Sequence, residues 1–191
     1  MEKNLGVLIG VIVSYFVASL VLGFSQLVLF SIVWKLVIIG LLWRAGIKVE
    51  KRHFVLTFVA LMVMAVLLVW VNPRIGLVES FAGLVLTPIM EEMLFRGWIM
   101  EQIKGSDRKK IVLSSILFGL YHLKNAMVYS PPTMLYQVFY TMLIVGPVFG
   151  WIRLRTRSLL PTMGLHGLNN LLSMGFTAKL IPAIMQRSGK F

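Results

Sequence analysis

The chain contains no cysteine in its 191 residues, which excludes a disulfide framework and any thiolate metal site and leaves the redox character of its compartment unmarked. Charge is scarce at 14%, and acidic side chains are scarcer still, with seven Asp and Glu against nineteen Lys and Arg. Long polar stretches are missing as well: none exceeds about ten residues, so no appended soluble domain or extended linker is expected. What fills the chain is 58% hydrophobic, with a mean hydropathy of +0.86, whereas soluble domains run at roughly 45–50% apolar and 25% charged. These values define an integral membrane protein, read as a single domain over residues 1–191.

Apolar runs fall near residues 5–23, 27–43, 54–71, 77–101, 111–129, 133–152 and 159–180. At 1.5 Å per residue each crosses a hydrocarbon core of about 30 Å or most of it. The expected fold is therefore all-α, a polytopic transmembrane bundle of about six to eight helices, with Pro182 a break in the last. A signal-peptide reading of the first run is disfavoured, because the run is longer than an ordinary signal core and leads almost directly into the second.

A net charge of +12 would suggest nucleic acid in a soluble protein, but here the cations lie between apolar runs. With the amino terminus in the cytoplasm, that side collects Lys3, Arg44, Lys48, Lys51, Arg52, Lys104, Arg108, Lys109, Lys110, Arg153, Arg155 and Arg157. The opposite side receives Arg74, Lys124, Lys179, Arg187 and Lys190. The asymmetry obeys the positive-inside rule. Membrane lipid is thus an expected partner and nucleic acid is not; the pattern and the small size suit a multi-pass protein of a bacterial inner membrane.

Against this background the ionisable groups inside the runs stand out, since a charge at the centre of a membrane helix costs from ~2.5 to over ~10 kcal/mol and marks a polar cavity that uses it. Thr87-Pro88-Ile89-Met90-Glu91-Glu92-Met93-Leu94-Phe95-Arg96 places two carboxylates and an arginine in one run, and His122 and His166 lie in two others. Glu91 is thirteen residues from Lys104, His122 twelve from Lys110 and His166 nine from Arg157, or roughly 20, 18 and 14 Å at helical rise. Glu92 and Arg96, four apart, share a helix face and can pair, leaving Glu91 the freer carboxylate. Phe118 lies below His122, and His166 and Asn170 share a face from which they can address one ligand. Pro88 should kink the helix or start it just before Glu91.

Glu91-Glu92-x-x-x-Arg96, Phe118-x-x-x-His122 and His166-x-x-x-Asn170, in this order on successive apolar segments, resemble the three motifs of the CPBP family, the CAAX-protease and bacteriocin-processing intramembrane endopeptidases. The resemblance covers about residues 87–171, within a catalytic core of about 77–180. It implies hydrolysis of a peptide bond inside the membrane, with Glu91 and His122 activating water, His166 and Asn170 stabilising the oxyanion, and Glu92 and Arg96 organising the site. Implied substrates are a peptide pheromone, a bacteriocin leader or a membrane-protein terminus in a bacterium, and a prenylated CAAX tail in a eukaryote.

One glutamate and two histidines also match the protein ligands of a catalytic zinc site, so Glu91, His122 and His166 are the zinc set in a metal-dependent alternative. No His-Glu-x-x-His occurs, and Asn170 suits an oxyanion role better than a ligand role, which favours a site without cofactor. A second alternative is a non-proteolytic membrane regulator or bacteriocin-immunity protein that binds a membrane partner. A transporter is disfavoured by the absence of paired halves. Outside the motifs the plain readings hold: Asn169 structural, His53 interfacial, Lys35 snorkelling or paired internally, Glu79 and Glu101 facing water, and Arg153, Arg155 and Arg157 a headgroup anchor.

Overall fold

A computed structural model describes residues 9–10, 12–18, 24–127 and 129–187, and every regular element among them is helical. Residues 9–10 and 12–18 are helical; most of the first apolar run, together with Lys3 and Lys190, lies outside the described residues. Helix α1 spans Phe24–Arg44 and α2 Lys51–Val71. Helix α3 occupies residues 77–102, α4 Asp107–Tyr121, α5 Pro131–Thr156 and α6 Leu160–Arg187. Two segments among the described residues, His53–Val71 and Pro131–Thr156, are long and apolar enough to cross a membrane by length and composition.

The elements sit close to the apolar runs, with three departures. Helix α4 starts where Ser106 accepts a hydrogen bond from the Lys109 backbone N–H and Asp107 adds a carboxylate to the first turn, both favourable at a helix amino terminus. It ends at Tyr121, well before residue 129, and tightens into a 3-10 turn over His122–Met127. Helix α6 runs unbroken past Pro182 to Arg187, in keeping with the tolerance of helices in apolar bundles for a missing N–H. Pro88 neither starts a helix nor leaves a gap. The chain widens into a π turn over Ala82–Leu86, returns to α over Thr87–Glu92, and widens again over Met93–Ile99.

Small residues bring the helices that carry the motifs together. A Cβ on Gly167 would overlap a methyl of Leu61, so glycine lets α6 lie directly on α2 beside His166. A Cβ on Gly146 would stand 2.7 Å from the Ser115 Cβ; here α5 packs tightly on α4, as small residues permit where apolar helices pack. The core between these contacts includes Leu61, Leu68, Leu84, Met90, Met93, Leu94, Phe118 and Met163, all essentially inaccessible.

Candidate active site

The wide turn over Ala82–Leu86 gives α3 its polar interior. Its Ala82 carbonyl accepts the Thr87 backbone N–H, the Thr87 hydroxyl at 2.8 Å and, at 3.4 Å, the Lys35 ammonium from α1. The following turn presents Glu91 and Glu92, both at most 1% exposed.

Glu92 is held by two cationic or imidazole partners on the same oxygen. Arg96 Nη1 donates to Glu92 Oε1 at 3.2 Å, as the four-residue spacing predicts, and His166 Nδ1 lies 2.9 Å from that atom. The Arg96 guanidinium sits 4.2 Å over the Phe118 ring and 5.5 Å from that of Phe149, and its Nη2 donates to the Gly146 carbonyl at 3.4 Å. Arg96 therefore ties α3, α4 and α5 to one point through a cation between aromatic faces.

Glu91 is not the freer carboxylate. Lys124 Nζ donates to Glu91 Oε1 at 2.9 Å, and both side chains are buried. The 3-10 turn after Tyr121 carries the lysine inward, where its ammonium lies 3.6 Å from the Tyr121 ring centroid. The other Glu91 oxygen, Oε2, is 3.7 Å from His166 Nε2 and has no hydrogen-bond partner.

The histidine environments define their tautomers. His122 Nδ1 is 2.8 Å from the Phe118 carbonyl, an atom that only accepts, so Nδ1 carries the proton and Nε2 presents a lone pair. Phe118 packs edge-on against His122 at 4.9 Å and against His166 at 5.9 Å, fixing both rings. His166 faces Glu92 with Nδ1 and Glu91 with Nε2. Asn170 lies one turn along α6 but does not share the carboxylates; its Nδ2 donates to the Gly83 carbonyl at 3.0 Å. Asn169, turned away, accepts from the Tyr140 hydroxyl at 2.8 Å, a structural bond between α5 and α6.

Lys124 occupies one Glu91 oxygen, and among the described residues no three His, Asp or Glu side chains are grouped to hold a metal. Of the peripheral residues, Lys35 is buried and bonded internally, His53 is exposed beside Glu50 at 3.9 Å, and exposed Glu101 pairs with Arg153 at 3.0 Å. Arg153 thus has a protein partner in addition to any headgroup role. Lys124, Tyr121 and Phe149 escaped the sequence reading; the trace of Lys124 was its place two residues after a motif histidine.

Paired carboxylates, an arginine and two imidazoles are thus buried together at the meeting of apolar helices. The chain belongs to the Rce1-like family, the type II CAAX prenyl endopeptidases, whose family model matches residues 72–172 and so spans all seven motif residues from Glu91 to Asn170. Membership makes the protein a membrane-embedded one of the CAAX-protease kind. No curated protein and no solved structure matches the chain.

Proposed function

We propose that the protein is a polytopic intramembrane endopeptidase of six to eight spans, its amino terminus in the cytoplasm of a bacterial cell, that hydrolyses a peptide bond in a membrane-associated peptide or protein tail without a metal. The observation that carries this reading is the single buried cluster in which Glu91 stands 2.9 Å from Lys124 and 3.7 Å from His166, with Glu92 holding His166 from behind.

In the proposed reaction, a water between Glu91 and His122 loses a proton to this pair, the Nε2 lone pair of His122 being the acceptor its tautomer provides. The hydroxide attacks the scissile carbonyl. As an imidazolium, His166 donates Nδ1–H to Glu92 and turns Nε2–H toward the developing oxyanion, and the second amide hydrogen of Asn170, the one not given to Gly83, is the other donor. Each such donor contributes about 3–4 kcal/mol to the transition state. The proton then passes from the glutamate and histidine to the leaving amine. Lys124 and Arg96 hold the two carboxylates in place.

A prenylated or otherwise lipidated tail fits the name of the family, and a leader or pheromone peptide offers the same membrane-bound amide. The test is cleavage of a farnesylated tail peptide by the purified protein in vesicles. Glu91→Gln, equally expressed and inserted, is expected to be inactive; an unchanged rate would remove Glu91 from the chemistry and leave a non-proteolytic role.

A further inference from the structure

Five charged side chains are buried in the described part of the bundle interior: Lys35, Glu91, Glu92, Arg96 and Lys124. Arg96 is matched by Glu92 and Lys124 by Glu91, so Lys35 is the buried cation without a carboxylate. Its hydrogen bond is the 3.4 Å contact to the Ala82 carbonyl, an oxygen already taken by the Thr87 N–H and, at 2.8 Å, the Thr87 hydroxyl. A carbonyl has two lone pairs, and the ammonium is its third donor, longer than the hydroxyl.

The surroundings share the shortage. Tyr15, Lys124 and Glu91 are the titratable groups that act on Lys35, and two of these four groups are ammonium ions. Tyr121, which packs under Lys124, has a buried hydroxyl with no hydrogen-bond partner. An uncompensated cation inside an apolar bundle is costly and marks function more often than structure. The one carboxylate of this cluster, Glu91, is held by Lys124, so Lys35 has no carboxylate of its own.

We propose that Lys35 binds a carboxylate carried by the peptide substrate, which deepens the peptidase reading and rests on it. Lys35 makes no ion pair with Glu91, whose partner is Lys124. A carboxylate held by Lys35 therefore stands apart from the bond held at Glu91, as the terminal carboxylate of a short tail does. Helix α1, outside the motifs, thereby sets the length of chain left past the cut.

The test uses the full chain in nanodiscs and a probe that is not hydrolysed: a farnesyl-cysteine tetrapeptide with aliphatic side chains and alkene isosteres in place of its amides. It is made as the free acid, as the carboxamide, and as a carboxamide bearing one aspartate. The free acid is expected to bind at least tenfold more tightly than the carboxamide, with the aspartate form close to the carboxamide. In Lys35→Met the acid and carboxamide should bind within twofold of each other, and Lys35→Arg should retain the preference. Tight binding of the aspartate form would assign the site to an acidic side chain instead of a terminus. Equal binding of all three by the native protein, which needs no variant to fold, overturns the proposal, as does a preference that survives in Lys35→Met. A preference without cleavage of an ordinary tail peptide would refute the peptidase reading alone, and cleavage without preference would refute the carboxylate site alone.

Discussion

Asn170 donates its side-chain amide to the Gly83 carbonyl at 3.0 Å, and the residue five positions after Gly83, from which a π turn draws its donor, is Pro88. The proline has no N–H to give, so the asparagine of the third motif completes the backbone of the helix that carries the first. Asn170→Ala is expected to lose about 1–3 kcal/mol of stability, the cost of an unsatisfied buried acceptor. The loss should be clearly smaller in a Pro88→Ala background, where an N–H is available. Unfolding of the four proteins in detergent measures the coupling; equal losses in both backgrounds would mean the bond is not what Asn170 contributes. Cleavage, by contrast, should fall by one to three powers of ten in both backgrounds, because a backbone N–H cannot replace an oxyanion donor.

The Glu91–Lys124 pair predicts a sign that a surface ion pair would not give. Breaking a buried pair from one side leaves a naked charge and costs about 3–5 kcal/mol, whereas removing both partners is far cheaper. Lys124→Met should therefore be severely destabilised and the double variant Glu91→Gln with Lys124→Met should recover most of that loss, while remaining inactive. Thermal unfolding in micelles is the readout, and a double variant no more stable than Lys124→Met would contradict the pairing.

Arg96→Lys keeps the charge but loses the fork that reaches Glu92 and the Gly146 carbonyl together, and the flat cation over Phe118. Lysine is a poor substitute at such a place. The expected result is a cleavage rate at least tenfold lower at unchanged expression, with less stability lost than in Arg96→Met, which strips Glu92 of its counter-charge.

His122→Ala should abolish cleavage while leaving the protein folded, since its side-chain bond is to a carbonyl only four residues back. Detectable turnover within tenfold of the native rate would remove His122 from the water activation and leave it to Glu91.

Cleavage should persist after exhaustive chelation and should not rise when zinc is restored. Loss on chelation with recovery on zinc, accompanied by stoichiometric metal in the purified protein, would replace the water-activation scheme with a metal-dependent one.

Helical content, the approximate limits of the helices and the Glu92–Arg96 pair were legible in the sequence, because apolar runs and four-residue spacing are local signals. The meeting of Glu91 with His166 was anticipated only as a matching of depths along separate helices. The burial of Lys124 was hidden for a physical reason: it lies three residues past the last α-helical residue, and a switch to 3-10 geometry rotates a side chain inward without any change in composition. The partner of Asn170 was hidden for another. A π turn leaves no hydrophobic pattern, and the carbonyl it strands lies in a different helix, 87 residues away.

A π turn is topologically one residue inserted into an α-helix. Deleting a residue between Ala82 and Leu86 would rewind α3 to ordinary geometry and swing everything before it by about 100°, pulling the Ser80 hydroxyl off the Ala65 carbonyl it now meets at 2.6 Å. The length of this stretch, the proline after it and the asparagine opposite form one heritable unit: descendants of this chain should gain or lose the three together, and an alignment gap there would betray a differently shaped pocket.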